Sequence, residues 1–351
     1  MSARLTRIDP ARLPARTRRV LDGVDEILVH RLEMTTRFRR VTSRDGLLLH
    51  GPAGWGEASP FWDYGPEESS AWLSAAVDAA VNGCPAPLRP RVDVNVTIPV
   101  CPPDEARARV LSSGGCATAK IKVADPGSSP SDDVARVEAV ADALASSAPG
   151  RGRIRVDANS AWDEDEAVRA IGDLDRAAAA VGGLEYVEQP CPRVDELAAV
   201  RRRVAPPIAA DESIRRAEDP LAVARAGAAD VAVIKVAPLG GPARALDIAA
   251  STELRVVVSS ALESSVGLAV GAMTAAALPG EPLACGLATA QLLADDVAGP
   301  LEVRDGSIPA APLAPDLSLV DRDPVAPGLV ARWLGRLDAM CAHLDARRGA
   351  R

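Results

Sequence analysis

The sequence predicts an α/β fold in which a parallel β/α barrel carries a smaller α+β module. Three observations point there. From residue 92 onward, short Val/Ile runs alternate with stretches rich in Ala, Arg, Asp and Glu. The runs recur at about 20 to 35 residues, the period of repeated β–α units, and eight of them suggest a closed barrel. Residues 1–90 do not share that rhythm, and no Gly-x-Gly-x-x-Gly follows any strand, which argues against a doubly wound nucleotide-binding sheet.

Taken in order, residues 1–22 are Arg- and Pro-rich without clear periodicity. Ile27-Leu28-Val29, Leu47-Leu48-Leu49 and the turn Gly54-Trp55-Gly56-Glu57 predict a small antiparallel sheet, with the basic stretch Thr35–Arg40 as a loop between strands. Gly65-Pro66-Glu67-Glu68 opens a helix to about Val81, with acids in the first turn as the helix dipole favours. Barrel strands are expected at 92–99, 117–123, 153–157, 184–188, 207–211, 230–236, 255–259 and 283–287. Helical patterns fill the gaps between them, for example at 131–146, 163–180, 195–203, 220–226 and 242–251. After Gly299 the chain turns Pro-rich and ends in a helix around 329–346. The expected division is 1–90 for an N-terminal α+β capping domain, 91–299 for the barrel, and 300–351 for a tail packing on the cap.

Composition narrows the function. The formal net charge of −8 argues against a nucleic-acid surface, and no apolar run reaches the roughly 18 residues that a membrane helix needs. The first twenty residues lack the apolar core of a signal peptide. Six cysteines are scattered without Cys-x-x-Cys spacing, as in a reducing, cytoplasmic compartment. With 48% hydrophobic but only 3% aromatic residues, the core is built from aliphatic side chains.

The strand ends carry the chemistry. In 117–123, Lys120 and Lys122 lie two apart and project to one side, so charging both is costly and one pKa is pushed down. Alone, Lys-x-Lys reads as a solvated edge strand. The next strands close on Asp157, then Ala-Asn159; on Glu188, then Gln-Pro; on Asp211, then Glu-Ser; and on Lys235. Each position follows the last by about one β–α unit, and in a barrel these ends surround one mouth. Singly, Asp157 or Asp211 is also a good helix N-cap and Glu188 a surface residue. Together, three buried carboxylates would repel unless a hard divalent cation held them, and an all-oxygen site suits Mg²⁺, with Mn²⁺ as substitute. Lysines on either side then give the layout for removing a proton alpha to a carboxylate, with the metal stabilising the enediolate.

This pattern of Lys-x-Lys, Asp-x-Asn, Glu-Gln-Pro, Asp-Glu-Ser and Ile-Lys resembles the enolase superfamily in its muconate-lactonizing branch, over nearly the whole chain. The resemblance implies a modified TIM barrel, (β/α)7β, with a capping domain made from the N-terminal module and the C-terminal tail. It implies Asp157, Glu188 and Asp211 as metal ligands, Lys122 as the base, and Lys235 as a charged lysine on the opposite face of the substrate. Lys120, Asn159, Ser260 after the seventh strand and Gly286 in the eighth are candidate substrate contacts, as is Arg37, on a loop that would close over a carboxylate. Three further stretches, Thr36–Arg39 with Arg44-Asp45-Gly46, Gly51–Phe61 and Ser259–Gly267, resemble the branch members that act in menaquinone biosynthesis. The implied reaction is a metal-dependent syn-dehydration of a cyclohexadiene carboxylate.

Two other readings compete. N-acylamino-acid racemases and dipeptide epimerases use the same two lysines, but the epimerases usually carry Asp-x-Asp at the eighth strand, where this chain has Ala284-Cys285-Gly286-Leu287. A non-catalytic binding barrel would be expected to have lost one of the five central residues, and none is lost. The expected partner is a small carboxylate substrate, with no nucleic acid and no membrane. The sequence leaves the oligomeric state open, a monomer included.

Overall fold

The computed structural model describes residues 3–349 apart from 216–218, 281 and 300. The outer ends of the expected modules at residues 1, 2, 350 and 351, and the expected boundary at 300, therefore lie outside the described residues.

Four strands, β1 (Arg4–Ile8), β2 (Glu26–Phe38), β3 (Val41–Gly51) and β4 (Gly54–Ala58), form an antiparallel sheet in that order. The uninterrupted Leu47-Leu48-Leu49 is explained by burial on both faces. Leu47 and Leu49 join Ile27, Val29 and Trp72 in one core, while Leu48 joins Leu28, Leu32, Val266 and Val297 in another. Helix α1 (Ala15–Val20) and the longer α2 (Pro66–Val81) cover the first face, α2 with Pro66 at its start and Glu67 and Glu68 in its first turn. The sheet meets α2 closely at Gly56, where a Cβ would stand 2.1 Å from the Ala76 carbonyl oxygen.

The expected strand 92–99 is two elements. Strand β5 (Arg91–Asp93) pairs antiparallel with residues 307–309, and only β6 (Asn95–Ile98) enters the barrel. From β6 the parallel sheet runs through β7 (Thr118–Lys122), β8 (Arg153–Asp157), β9 (Leu184–Glu188), β10 (Ile208–Ala210), β11 (Val231–Ile234) and β12 (Arg255–Val258). The eighth position is filled by residues 284–287, through bridges rather than a full ladder. The Gly286 N–H donates to Val258 O at 2.8 Å, and the Asn95 N–H donates to Cys285 O at 2.9 Å, closing the ring between β12 and β6.

Period-two alternation sets what faces inward. Val96, Ile121, Val156 and Val187 face outward to helix residues such as Val137, Val140, Ile171 and Leu197. Tyr186, Val231, Val233 and Val257 fill the barrel interior. At its lower end Arg155 is fully buried, donating to Glu185 at 2.5 Å and Asn95 at 3.2 Å and lying 4.7 Å from the Tyr186 ring centroid.

The barrel helices are α3 (Pro103–Leu111), α4 (Pro130–Ser147), α5 (Glu164–Ala177), α6 (Val194–Arg201), α7 (Glu212–Arg215), α8 (Ala222–Arg225), α9 (Val236–Leu239), α10 (Pro242–Ser251) and α11 (Ser265–Ala276). Capping boxes Ser129–Asp132 and Asp163–Glu166 start α4 and α5. The expected helix 220–226 shrinks to the single turn of α8. Helix α11 fills the expected gap between β12 and residues 284–287 and is apolar almost all round: nine of its twelve residues are buried. Among the described residues, a single turn at Thr289–Leu292 stands where the eighth barrel helix would follow residues 284–287, so the barrel is (β/α)7β. The chain then forms β13 (Ser307–Pro309), the partner of β5, and ends in α12 (Pro327–Gly349). Helix α12 buries Trp333, Leu337, Met340 and Cys341 in the same core as α2. The result is a modified TIM barrel whose cap is built from both ends of the chain.

Candidate active site

The C-terminal ends of the barrel strands gather the residues singled out by sequence. Lys120 and Lys122 project inward from β7, Asp157 ends β8 and Glu188 ends β9. Asp211 and Lys235 stand one residue past β10 and β11. Asp157, Glu188 and Asp211 are each at most 1% exposed.

Ammonium groups hold these carboxylates. The Lys120 Nζ donates to both Glu188 oxygens at 2.9 and 3.1 Å and lies 3.2 Å from Asp157. Lys122 donates to Asp157 and, at 2.7 Å, to the Asn159 Oδ1. Lys235 donates to Asp211 at 2.5 Å, and the same acid accepts from the Arg215 Nε at 2.9 Å.

The electrostatics separate the two neighbouring lysines. Burial and the charge of Lys120 lower the Lys122 pKa against the pull of Asp157. Burial acts on Lys120 too, but Glu188 and Asp157 override it and raise its pKa well above the ordinary value. Burial and the nearby Asp157 push Glu188 upward, whereas at Asp157 and Asp211 the lysine charges overcome burial and hold the acids down.

Above this cluster lies a narrow cavity. Lys120, Lys122, Asn159, Lys235, Ser260 and Gly286 line it, so six candidates meet there. Arg37 does not: it is exposed near the tip of the β2–β3 hairpin and is absent from the lining. Its neighbours Phe38 and Arg39 line the cavity instead, because Arg39 and Arg40 form the turn with φ of 46° and 64°, which swings Arg39 back over the mouth. Backbone strain concentrates here. Ala124, Asn159, Ser160, Gln189 and Leu262, all non-glycine with positive φ, follow barrel strands at this end.

Other participants were assigned no role from the strand-end pattern, although Gln189 lies in its Glu-Gln-Pro. Gln189 joins two strand ends, its Oε1 accepting from the Asp211 N–H at 3.0 Å and its Nε2 donating to the Ser213 Oγ at 2.7 Å. Arg215 reaches from Asp211 to the Tyr64 hydroxyl of the cap at 3.0 Å. Thr289 shares a hydrogen bond of 2.7 Å with Ser260.

Among the described residues, no three His, Cys, Asp or Glu side chains stand at the spacing a bound ion requires. The donor set nevertheless fits a divalent cation: three buried carboxylates, all oxygen, where burial and then the neighbouring acids raise the Glu188 pKa. Lysine ammoniums supply the compensating charge in this structure.

Two family models match the chain, "Enolase N-terminal domain-like" over residues 29–80 and "Enolase C-terminal domain-like" over residues 104–329. The o-succinylbenzoate synthase of Thermobifida fusca is 55% identical over 312 residues, covering 88% of this chain and 93% of that protein. That of Mycolicibacterium smegmatis is 51% identical, covering 84% and 88%. Among solved structures, the dipeptide epimerase of Enterococcus faecalis complexed with Mg and the dipeptide L-Leu-L-Tyr superposes with a TM-score of 0.65. At 21% identity, covering 84% of this chain and 98% of that one, it shares the fold alone. With identity above half across most of both chains and the superfamily's two domains in order, the chain belongs to the o-succinylbenzoate synthase family of the enolase superfamily.

Proposed function

We propose that the cavity at the barrel mouth carries out the dehydration of this family, converting 2-succinyl-6-hydroxy-2,4-cyclohexadiene-1-carboxylate to 2-succinylbenzoate and water in menaquinone biosynthesis. The observation that carries the reading is that two lysines face one cavity. Lys122 has a depressed pKa and faces the same cavity as Lys235, directly above three buried carboxylates.

Lys122, as the neutral amine, removes the proton from the carbon beside the carboxylate. Now protonated, it delivers that proton to the departing hydroxyl, so hydroxide leaves as water and the ring becomes aromatic. One group serving both steps places proton and hydroxyl on the same side, which makes the elimination syn. Lys235, hydrogen-bonded to Asp211, stabilises negative charge on the opposite face of the substrate. Asn159 holds the Lys122 ammonium at 2.7 Å and keeps it aimed into the cavity. Lys120 stays protonated and neutralises Glu188.

Asp157, Glu188 and Asp211 would hold a divalent ion, with Mg²⁺ the best match to three carboxylate oxygens and Mn²⁺ a substitute. Bound there, it supplies positive charge to the carboxylate of the substrate. Gly286 and Ser260 line the cavity and contact the substrate, and Arg39 takes the place expected for Arg37. The scattered cysteines without Cys-x-x-Cys spacing support the cytoplasm as the proposed compartment.

The test is aromatisation of the cyclohexadiene substrate followed by ultraviolet absorbance, with Mg²⁺ present. Loss of turnover by about a thousandfold in Lys122→Ala, and on EDTA treatment with recovery on added Mg²⁺, is expected. Racemisation of N-succinyl amino acids without dehydration would overturn the reading.

A further inference from the structure

The loop after β12 forms one wall of the cavity, through Ser259, Ser260, Ala261 and Leu262. Its conformation is unfavourable in isolation. Leu262 has φ of 63°, in the left-handed region where a Cβ crowds the backbone, and no glycine relieves it. Such a residue persists only where its surroundings over-determine it.

Those surroundings come from the cap. Arg44, in β3, is 3% exposed, and its Nε donates to the Leu262 carbonyl at 3.0 Å. The same guanidinium donates to the Ser59 carbonyl and, at 3.5 Å, to the Ala261 carbonyl. Phe61 lies under it, with 4.0 Å from the guanidinium carbon to the ring centroid. The loop's N–H groups are gripped separately: Ala261 donates to the Glu263 carboxylate at 2.7 Å, and Ser264 donates to Glu57 at 3.0 Å. Carbonyls turned toward Arg44 leave the opposite side of the loop facing the cavity. A planar fork can hold several carbonyls at fixed angles, which a lysine ammonium cannot.

We infer that Arg44 is a positioning residue for substrate binding: it holds Leu262 in its left-handed conformation and so sets the cavity wall formed by Ser260, Ala261 and Leu262. Arg44 does not itself line the cavity. The two cavity lysines lie on β7 and just past β11, and Arg44 bonds to neither, so its effect falls on affinity for the carboxylate substrate and not on the chemical step. The inference rests on the barrel mouth being the substrate site.

The experiment is a double-mutant cycle between Arg44→Lys and Leu262→Gly, read by steady-state kinetics on the full chain with Mg²⁺. Arg44→Lys keeps the charge and loses the fork; it is expected to raise KM about tenfold while kcat changes less than about threefold. Glycine adopts φ near 60° without strain, so in a Leu262→Gly background the same Arg44→Lys change is expected to raise KM by less than about threefold. An equal KM penalty in both backgrounds, an unchanged KM in Arg44→Lys, or a fall in kcat alone would overturn the inference. Should Arg44→Lys not fold, Phe61→Leu removes the platform beneath the guanidinium, and an unchanged KM there overturns it equally. Lys122→Ala, run alongside, separates the two readings. Retained turnover in that variant removes the site assignment, whereas a wild-type KM in Arg44→Lys removes the role of Arg44 alone.

Discussion

The ammonium of Lys120 donates to both carboxylate oxygens of Glu188, at 2.9 and 3.1 Å, across the β7 to β9 span of the barrel interior. Side chains of both residues are at most 9% exposed, so each is the main compensation for the other's charge. Cutting one partner of such a pair strands a charge in low dielectric. Lys120→Met is therefore expected to destabilise the metal-free protein by about 3 to 5 kcal/mol, measured by urea denaturation. Added Mg²⁺ should recover part of the loss, because an ion at the same carboxylates replaces the missing positive charge.

Arg37 and Arg39 are two residues apart on a basic hairpin, yet only Arg39 lines the cavity. Arg39→Ala is expected to raise KM by about tenfold or more, as loss of a charge-assisted contact to a carboxylate would. Arg37→Ala should leave KM within about twofold, since exposed charges contribute little. Steady-state kinetics on both variants check this.

Glu263 is buried beside Glu57, and burial followed by that neighbour pushes its pKa up to about 7. The folded state thus holds a proton that the unfolded chain releases near its ordinary value of 4.5. Stability from this group is fully present below that value and is lost as pH rises through about 7. At about 1.4 kcal/mol per pKa unit the loss is about 3 kcal/mol. Glu263→Gln, which stays neutral, should flatten this part of the stability profile between pH 5 and pH 8, measured by denaturation across that range.

Glu57 caps a helix that belongs to the barrel. It accepts from the Ser264 N–H and, at 3.0 Å, from the Gly267 N–H in the first turn of α11. A Cβ on residue 267 would stand 2.8 Å from the Glu57 Oε2 and 2.6 Å from the Glu263 Cβ. Gly267→Ala is expected to cost about 2 kcal/mol or more by forcing these groups apart. A lowered thermal midpoint for Gly267→Ala, against a nearly unchanged one for the exposed Gly335→Ala, checks the expectation.

Much of this protein was legible in its residues. The β–α rhythm from residue 92 and the polar residue closing each strand are local properties, because strand alternation alone decides which side chains enter a barrel. Lys120, Lys122, Asp157 and Glu188 share the inward face for that reason. The depressed pKa expected for one member of Lys-x-Lys falls on Lys122, because Glu188 and Asp157 grip Lys120 more fully. Helix α11 was legible only as a helix expected between two strands: buried on nearly every side between cap and barrel, it has no polar stripe to mark its bounds.

The sequence by itself determined the barrel, the order of its strand-end residues and the family to which they belong, since these follow from periodicity and from residue type at fixed positions. The tertiary structure alone decided which arginine of the hairpin faces the mouth, through the left-handed turn at Arg39 and Arg40. It also split the first barrel strand by giving Arg91–Asp93 a partner at Ser307–Pro309, more than two hundred residues away. The holds of Arg44 on Leu262 and of Glu57 on Ser264 and Gly267 are likewise contacts between cap and barrel. No local pattern encodes such contacts, because they join segments whose separation along the chain is set only when the two ends of the protein fold onto one barrel.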